Sequence, residues 1–249
     1  MINQLLHQQP VPVDRNEHRL MRLRLPVADW SVAAKLNSAF VAAAEFGDMV
    51  REYPVVFVRA GDDDDGQPAI APIAVFGMVQ GQNLFVDGAA WRATYMPAVL
   101  RSYPFCIGRL DAQRFAVCLD AAWSGLSGTE GEPLFTPEGE QSTLLNDVQK
   151  QLEVLEGEIQ RTRLMCRRLR ELELLQDMRF DATLPDGSKL GVDGFLTVDE
   201  KKLTALPDAA VVELHRSGLL GLIHAHYVSM GNMRKLLNWH IERQGPATV

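Results

Sequence analysis

The sequence predicts an α+β fold, in which a mostly antiparallel sheet with helical insertions is followed by one long amphipathic helix and a C-terminal helical pair. Three observations lead to this class. Short apolar runs broken by Gly and Pro fill the first half, an uninterrupted helical periodicity starts at residue 142, and leucine-rich helical stretches close the chain. The 249 residues, 47% of them hydrophobic, can bury a sizeable core. We therefore predict a single α+β domain over 1–249, in which a sheet-rich part, 1–120, and a second part, 142–249, are joined by a loop at 121–141.

The chain opens with extended segments and an alanine-rich stretch. Prolines in "VPVDRNEHRLMRLRLP" (11–26) interrupt any helix there, so this segment predicts a strand and a connection. "SVAAKLNSAFVAAAEFGDMVREYP" (31–54) has apolar residues at helical spacing and predicts one or two helices that end at Pro54. The aspartate run in "GDDDDGQP" (61–68) lacks the ligand spacing of an EF-hand and indicates a solvated loop rather than a calcium site.

Sheet elements dominate the following residues. "VVFVRA" (55–60) predicts a strand, and "AIAPIAVFGMV" (69–79) and "NLFVDG" (83–88) predict a hairpin because a Gly-centred turn separates two apolar runs. A short amphipathic helix closed by Pro104 is expected within "WRATYMPAVLRSYP" (91–104).

A second hairpin, "FCIGRLDAQRFAVCLD" (105–120), brings two cysteines together. A three-residue loop at 111–113 sets Leu110 opposite Arg114 and, counting outward, Cys106 opposite Cys118. The pair is either a redox dithiol or part of a face of small residues against which another element packs closely. The second interpretation is favoured because buried thiols among small apolar groups are usually inert. Three cysteines without a CxxC pattern also fit a cytoplasmic protein.

The longest periodic segment, 142–176, predicts one long helix that contains no proline and begins after the N-cap Ser142. Apolar or small residues recur alternately three and four positions apart, which is a heptad seam. The seam comprises Leu145, Val148, Leu152, Leu155, Ile159, Thr162, Cys166 and Leu169. Two alternatives stay open: a homodimer through the helix at 145–169, or a helix that lies across the sheet of its own chain.

The chain ends in a hairpin and helices. The turn "PDGS" (185–188) predicts two flanking strands. A helix then starts at the N-cap Asp208 and ends near Gly218 in a left-handed cap, which places His215 in its last turn. "LLGLIHAHYVSM" (219–230) is also expected to be helical, because helix-forming residues continue after it.

Charge and length exclude several functions. The net charge of −7 and a pI near 5.4 give no basic surface for a phosphate backbone, so no nucleic-acid partner is expected. No segment has the length of a signal peptide core or of a membrane span, which predicts a cytoplasmic location. GxGxxG, GxxxxGK[ST] and GxSxG motifs are missing, so no cofactor is expected.

Three of the six histidines lie within twelve positions of each other near the C-terminus. On a helix, His224 and His226 point about 200° apart and cannot share a metal, and no HExxH spacing is present, so no metal site is expected. His226 falls on an apolar stripe with Leu219, Leu222, Met230 and Met233 and is predicted to be a neutral core residue with one hydrogen bond.

Five stretches carry a resemblance to a family of bacterial proteins. They are "AAEFGDMVREYPVVFV", "NLFVDG", "YMPAVLRSYPF", "LPDGSKLGVDGFLTVDEKKLTALPD" and "LHRSGLLGLIHAH", and they run from Ala43 to His226. In order and spacing they resemble the SapC family, which is named for a surface-layer locus and is distinct from the peptide-transport permease of similar name.

The resemblance implies no particular reaction and no catalytic residues. It implies gene neighbourhoods with outer-membrane receptors, cupin-like proteins and flavin-dependent halogenase-like proteins, and hence a partner role as readily as an enzymatic one. The family pattern has an aromatic residue where His224 stands, whereas His215, Arg216 and His226 match it. We therefore take His215, Arg216 and His226 as the candidate functional cluster.

The leading hypothesis is a non-enzymatic binding or accessory protein that recognises another protein or a peptide, because the sequence has a heptad helix and no complete catalytic constellation. The first alternative is an enzyme of unknown class, for example a peptide-modifying one, that uses His215, Arg216 and His226. A structural surface-layer component is the second alternative. It would require export by a route that does not use an N-terminal signal.

Overall fold

A computed structural model describes residues 2–63, 66–111 and 114–244. The strands are β1 (Pro10–Pro12), β2 (Arg22–Leu23), β3 (Ser38–Phe40), β4 (Val55–Asp62), β5 (Pro68–Val75), β6 (Val86–Asp87), β7 (Ala90–Trp91), β8 (Phe105–Arg109), β9 (Phe115–Asp120), β10 (Leu126–Ser127), β11 (Glu132–Pro133), β12 (Leu175–Thr183) and β13 (Lys189–Val198). The α-helices are α1 (Phe46–Met49), α2 (Ala98–Arg101), α3 (Thr143–Glu171), α4 (Glu200–Thr204), α5 (Asp208–Arg216), α6 (Leu219–Met230) and α7 (Asn232–Gln244). The antiparallel sheets and the C-terminal pair α6 and α7 confirm the α+β class.

The described chain forms two compact units. The first unit contains the residues up to Lys35, Val86–Arg92 and Ala98–Gly157, and the second contains Leu36–Phe85, Ala93–Pro97 and the residues from Glu158 on. This division differs from the predicted parts 1–120 and 142–249, because β4 pairs with β13 from the far end of the sequence. The predicted loop 121–141 lies within the first unit and holds the short strands β10 and β11. The single-domain organisation stays a prediction.

In the first unit, β9 lies between β1 and β8 in an antiparallel sheet. The hairpin of β8 and β9 has the predicted register, with Cys106 opposite Cys118. The Leu110 amide donates to the Arg114 carbonyl at 3.0 Å, as expected for the short loop, although residues 112 and 113 lie outside the described ones.

In the second unit, an antiparallel sheet has the order β12, β13, β4, β5, β3. The predicted hairpin between 69–79 and 83–88 is wrong, because β5 pairs with β3 and β4 while β6 pairs with β7. Of the predicted solvated loop at 61–68, residues 64 and 65 lie outside the described ones.

The alanine-rich segment 31–54 also differs from its prediction. Instead of one or two full helices it forms two single-turn 3₁₀ helices, the four-residue α1 and the strand β3. Sheet pairing of Ser38, Ala39 and Phe40 with β5 outweighs the helix propensity of the alanines, which is high but is routinely overridden by tertiary contacts.

The long helix α3 begins after Ser142, whose Oγ accepts the Leu145 amide at 3.2 Å as the predicted N-cap. It ends at Glu171, earlier than predicted, because Glu173 adopts a φ of 52° and the Leu174 amide donates to the Leu169 carbonyl. All eight seam side chains are buried within the chain itself. The seam therefore packs on its own chain, and a homodimer through 145–169 would first have to expose it.

Candidate functional site

His226 lies on α6 with its side chain fully buried. Its Nδ1 is 2.7 Å from the Val55 carbonyl oxygen, and its Nε2 is 3.3 Å from the Val198 amide nitrogen. Because a carbonyl only accepts and an amide only donates, Nδ1 carries the proton and Nε2 is the acceptor. Burial lowers the pKa of His226, against the opposing effect of the Val55 hydrogen bond. The predicted burial of His226 matches this geometry, but both ring nitrogens are hydrogen-bonded, whereas one hydrogen bond was predicted.

The imidazole takes the place of a backbone hydrogen bond between two strands. Leu196 of β13 pairs with Phe57 of β4, and continuing this antiparallel register sets Val198 opposite Val55. Between these two residues the ring of His226 accepts from one strand and donates to the other. Ser229, one turn further along α6, accepts the Val55 amide at 3.0 Å. His226 and Ser229 therefore fasten α6 to the sheet where β4 and β13 no longer pair directly.

The structure does not place the three residues of the predicted cluster in one environment. His215 and Arg216 are exposed in the last turn of α5, whereas His226 is buried with both ring nitrogens bonded to backbone groups. His224 is exposed as well. The buried stripe of α6 runs through Leu219, Ile223 and His226, while the predicted members Leu222 and Met230 are only half-buried.

A second buried polar cluster, in the first unit, was not anticipated from the sequence. Asp120 accepts the amides of Gln8 and Gln9 at 3.3 and 2.7 Å and the hydroxyl of Tyr103 at 3.1 Å. Burial, with the nearby Asp120 charge, raises the pKa of Tyr103. Asp120 is one acid at the end of an apolar strand, so the sequence gives no sign of these partners. With these hydrogen bonds it acts as an anchor for the N-terminal segment.

The cysteine pair is buried, and all three cysteines are free. A hydrogen bond from the Cys106 thiol lowers the pKa of Cys118, and the same contact together with burial raises the pKa of Cys106. Gly108 provides the space for one sulfur, since a Cβ at this position would lie 2.4 Å from Cys118 Sγ.

We expect all three thiols to react with a thiol reagent after denaturation of protein purified in air without reductant. The backbone bonds from Asp120 to Pro104 and from Leu110 to Arg114 show that Cys106 and Cys118 form a hydrogen-bonded pair of the ladder. In such pairs the Cβ atoms lie about 5.5 Å apart, whereas a disulfide needs about 3.8 Å. A count of one free thiol would show that the pair had oxidised and would support the redox alternative.

The first unit has an open cleft of about 750 Å³. Its floor is formed by half-buried apolar side chains of Val13, Phe115 and Val117, and Leu145, Gln149 and Glu153 on successive turns of α3 form a wall. Because β9 is paired on both sides, by β1 and β8, the cleft presents side chains rather than free backbone groups.

Charges of both signs line the opening of this cleft. Arg15 lies 3.6 Å from Glu140, and Arg114 forms an exposed 2.6 Å ion pair with Asp111 beside it. Exposed ion pairs of this kind contribute little stability, so their groups can exchange partners at low cost. The arrangement suits an apolar ligand that is flanked by charged groups.

Within the described ranges, no group of three or more His, Cys, Asp or Glu side chains could hold a metal ion. Similarly, none of the described helices is both long and apolar enough to cross a membrane.

No curated protein and no solved structure matches the chain. The family model described as SapC matches residues 13–236, which include both strands that His226 joins and all residues of the cleft named above. This match covers most of the 249 residues and agrees with the resemblance carried by the five sequence stretches. The chain therefore belongs to the SapC family.

Proposed function

We propose that this protein is a non-enzymatic accessory protein of the cytoplasm that recognises a segment of another protein, or a peptide, in the cleft of the first unit. The observation that carries the proposal is the cleft itself, with its apolar floor of Val13, Phe115 and Val117 and its charged opening. A cleft of about 750 Å³ lies within the usual range of ligand sites.

The chemistry of the cleft favours a peptide segment as the occupant. An apolar side chain of a partner could be buried on the floor, while neighbouring acidic and basic groups pair with Arg15, Arg114, Glu140 and Glu153. Addition of a strand to the sheet at β1 is disfavoured, because Pro10 and Pro12 have no amide hydrogen to donate. Recognition would therefore rest on side chains.

The enzymatic alternative gains no support from His226. Both of its ring nitrogens are bonded to backbone groups in the core, so the ring has no free position from which to accept a substrate proton. The three free cysteines support the cytoplasmic part of the proposal, since structural disulfides are typical of oxidising compartments.

We expect the substitution Val117→Asp to weaken partner binding by at least about tenfold while the protein stays folded, because a charge on the apolar floor must be desolvated when the ligand binds. Val117 is only half-buried, so a small fall in Tm is expected. Val228→Asp, at a side chain that is 69% exposed on α6, is the matched control and should bind like the parent.

A photo-crosslinking amino acid in place of Gln149, on the wall of the cleft, provides the direct measurement. Tagged protein irradiated in native lysate should yield one dominant adduct from this position and none from the same amino acid at Val228. The proposal fails if the Val117→Asp protein captures the same partner with unchanged affinity, or if both positions yield the same adducts.

A further inference from the structure

Strand β12 forms one edge of the sheet in the second unit. In the described part of the chain, no backbone hydrogen bond joins 176–183 to a strand other than β13. Four consecutive side chains, 176–179, are exposed, so both faces of the strand are open at this point. The pairing of β13 with β4 lies at Leu196 and Phe57, so the outer part of the hairpin of β12 and β13 is a two-stranded ribbon, which is only marginally stable alone. The length of β12 and the open edge make it a surface on which a further strand can pair.

The flanking hydrogen bonds show which backbone groups point outward. The Asp199 amide donates to the Leu174 carbonyl, and the Leu184 amide donates to the Ser188 carbonyl. Because the two sides of a strand alternate, the even-numbered residues of β12 bond to β13 and the odd-numbered ones turn their amide and carbonyl groups away from it. Between Met178 and Phe180 the pairing register shifts, because two residues of β13 lie opposite one residue of β12. The extra residue belongs to β13, so the alternation along β12 is unbroken.

The odd-numbered side chains of β12 carry alternating charges, Asp177, Arg179 and Asp181. Asp177 is already in a 2.8 Å ion pair with Arg59 of β4, which leaves Arg179 and Asp181 on either side of Phe180. If two copies of this strand run antiparallel about Phe180, Arg179 of each lies opposite Asp181 of the other. The same register places odd-numbered residues opposite odd-numbered ones, as the outward backbone groups require, and sets the two Phe180 rings side by side.

We propose that β12 pairs with β12 of a second copy of this chain in the register centred on Phe180. The product is a two-fold symmetric homodimer in which the two sheets become continuous. Its specificity comes from two identical Arg179 to Asp181 pairs between the copies, in place of the exposed 2.7 Å pair within one chain. The interface differs from the heptad seam of α3, which is buried within the chain.

A charge-swap experiment tests the register. Arg179→Asp places only acids opposite acids in a homodimer, and Asp181→Arg places only arginines opposite arginines, so each variant alone should be monomeric by light scattering. When the two variants are mixed, the introduced acid of one chain lies opposite the introduced arginine of the other, and the unchanged Asp181 of the first lies opposite the unchanged Arg179 of the second. A heterodimer should therefore form. Both residues are exposed, so both variants should stay folded, and their Tm should fall only by the stabilisation that dimer formation gives the parent.

Arg161→Asp is the matched control, because it makes the same change of charge at an exposed position of α3 and should stay dimeric. The proposal is overturned if the parent protein is monomeric at high micromolar concentration, if Arg179→Asp stays dimeric, or if the mixed variants fail to associate. A parent dimer, two monomeric variants and a mixed heterodimer together support it.

Discussion

The substitution His226→Asp should unfold the second unit or leave it molten at ordinary temperature. The carboxylate would be buried between β4 and β13, where it can accept from the Val198 amide but has no proton to donate to the Val55 carbonyl. Burying an uncompensated charge next to an unsatisfied carbonyl costs about 4 kcal/mol or more. That is a large part of the roughly 5–15 kcal/mol by which a typical domain is stable. Urea denaturation followed by circular dichroism measures the loss.

His226→Gln is the matched control, because the amide side chain retains one donor and one acceptor. We expect it to lose about 1–2 kcal/mol, mainly through the contact of the imidazole with Phe57, and to bind partners normally. If His226→Gln kept the parental Tm and lost its function, the structural role assigned to His226 would be wrong.

The parent protein and the His226→Gln variant should differ in how their stability responds to acid. Burial holds the pKa of His226 below its ordinary value of 6.5, so the unfolded chain binds a proton more readily than the folded one. The contribution of His226 to the free energy of unfolding is therefore fully present above pH 6.5. It is lost as the pH falls below 6.5, by up to about 1.4 kcal/mol per pH unit. His7 and His240, whose pKa values burial also lowers, add to this slope, so the Gln variant should show a shallower slope rather than none.

Features set by neighbours in the sequence were predicted well. The Cys106 and Cys118 register follows from a short loop, and the Ser142 cap and the seam of α3 follow from local spacing. The end of α3 was missed because Glu173, and not a glycine, takes the left-handed conformation that closes the helix. A non-glycine residue gives no sign of that conformation in a sequence.

Features set by distant partners were not predictable. Segment 31–54 has the composition of a helix, yet β3 within it is fixed by pairing with β5. The burial of His226 was expected from its stripe, but Val55 and Val198 lie 171 and 28 residues away in the sequence, and no pattern links them. The cleft likewise combines separate segments, none of which carries a motif of its own.

The last prediction concerns the seam of α3, for which the sequence left two alternatives. Leu152 and Ile159 are each 1% exposed in the structure, one in each compact unit. Replacement of both by lysine removes two buried apolar side chains, at about 2–5 kcal/mol each, and places two ammonium groups in the core. The loss of the two apolar side chains alone, about 4–10 kcal/mol, is comparable with the roughly 5–15 kcal/mol by which a typical domain is stable, and the buried charges add to it. We therefore expect Leu152→Lys with Ile159→Lys to give insoluble or molten protein, judged by soluble yield and by the loss of a cooperative melting transition.

The matched control carries the same two lysines on the opposite side of the same helix. Val154 and Leu164 are 69% and 61% exposed, and Val154→Lys with Leu164→Lys should remain soluble with a Tm near that of the parent. This control separates the cost of burying charge from any effect of lysine on helix formation, which is small. A soluble, cooperatively folded monomer from the Leu152 and Ile159 pair would contradict the structure, because it would mean that the seam faces a second copy of the chain instead of its own core.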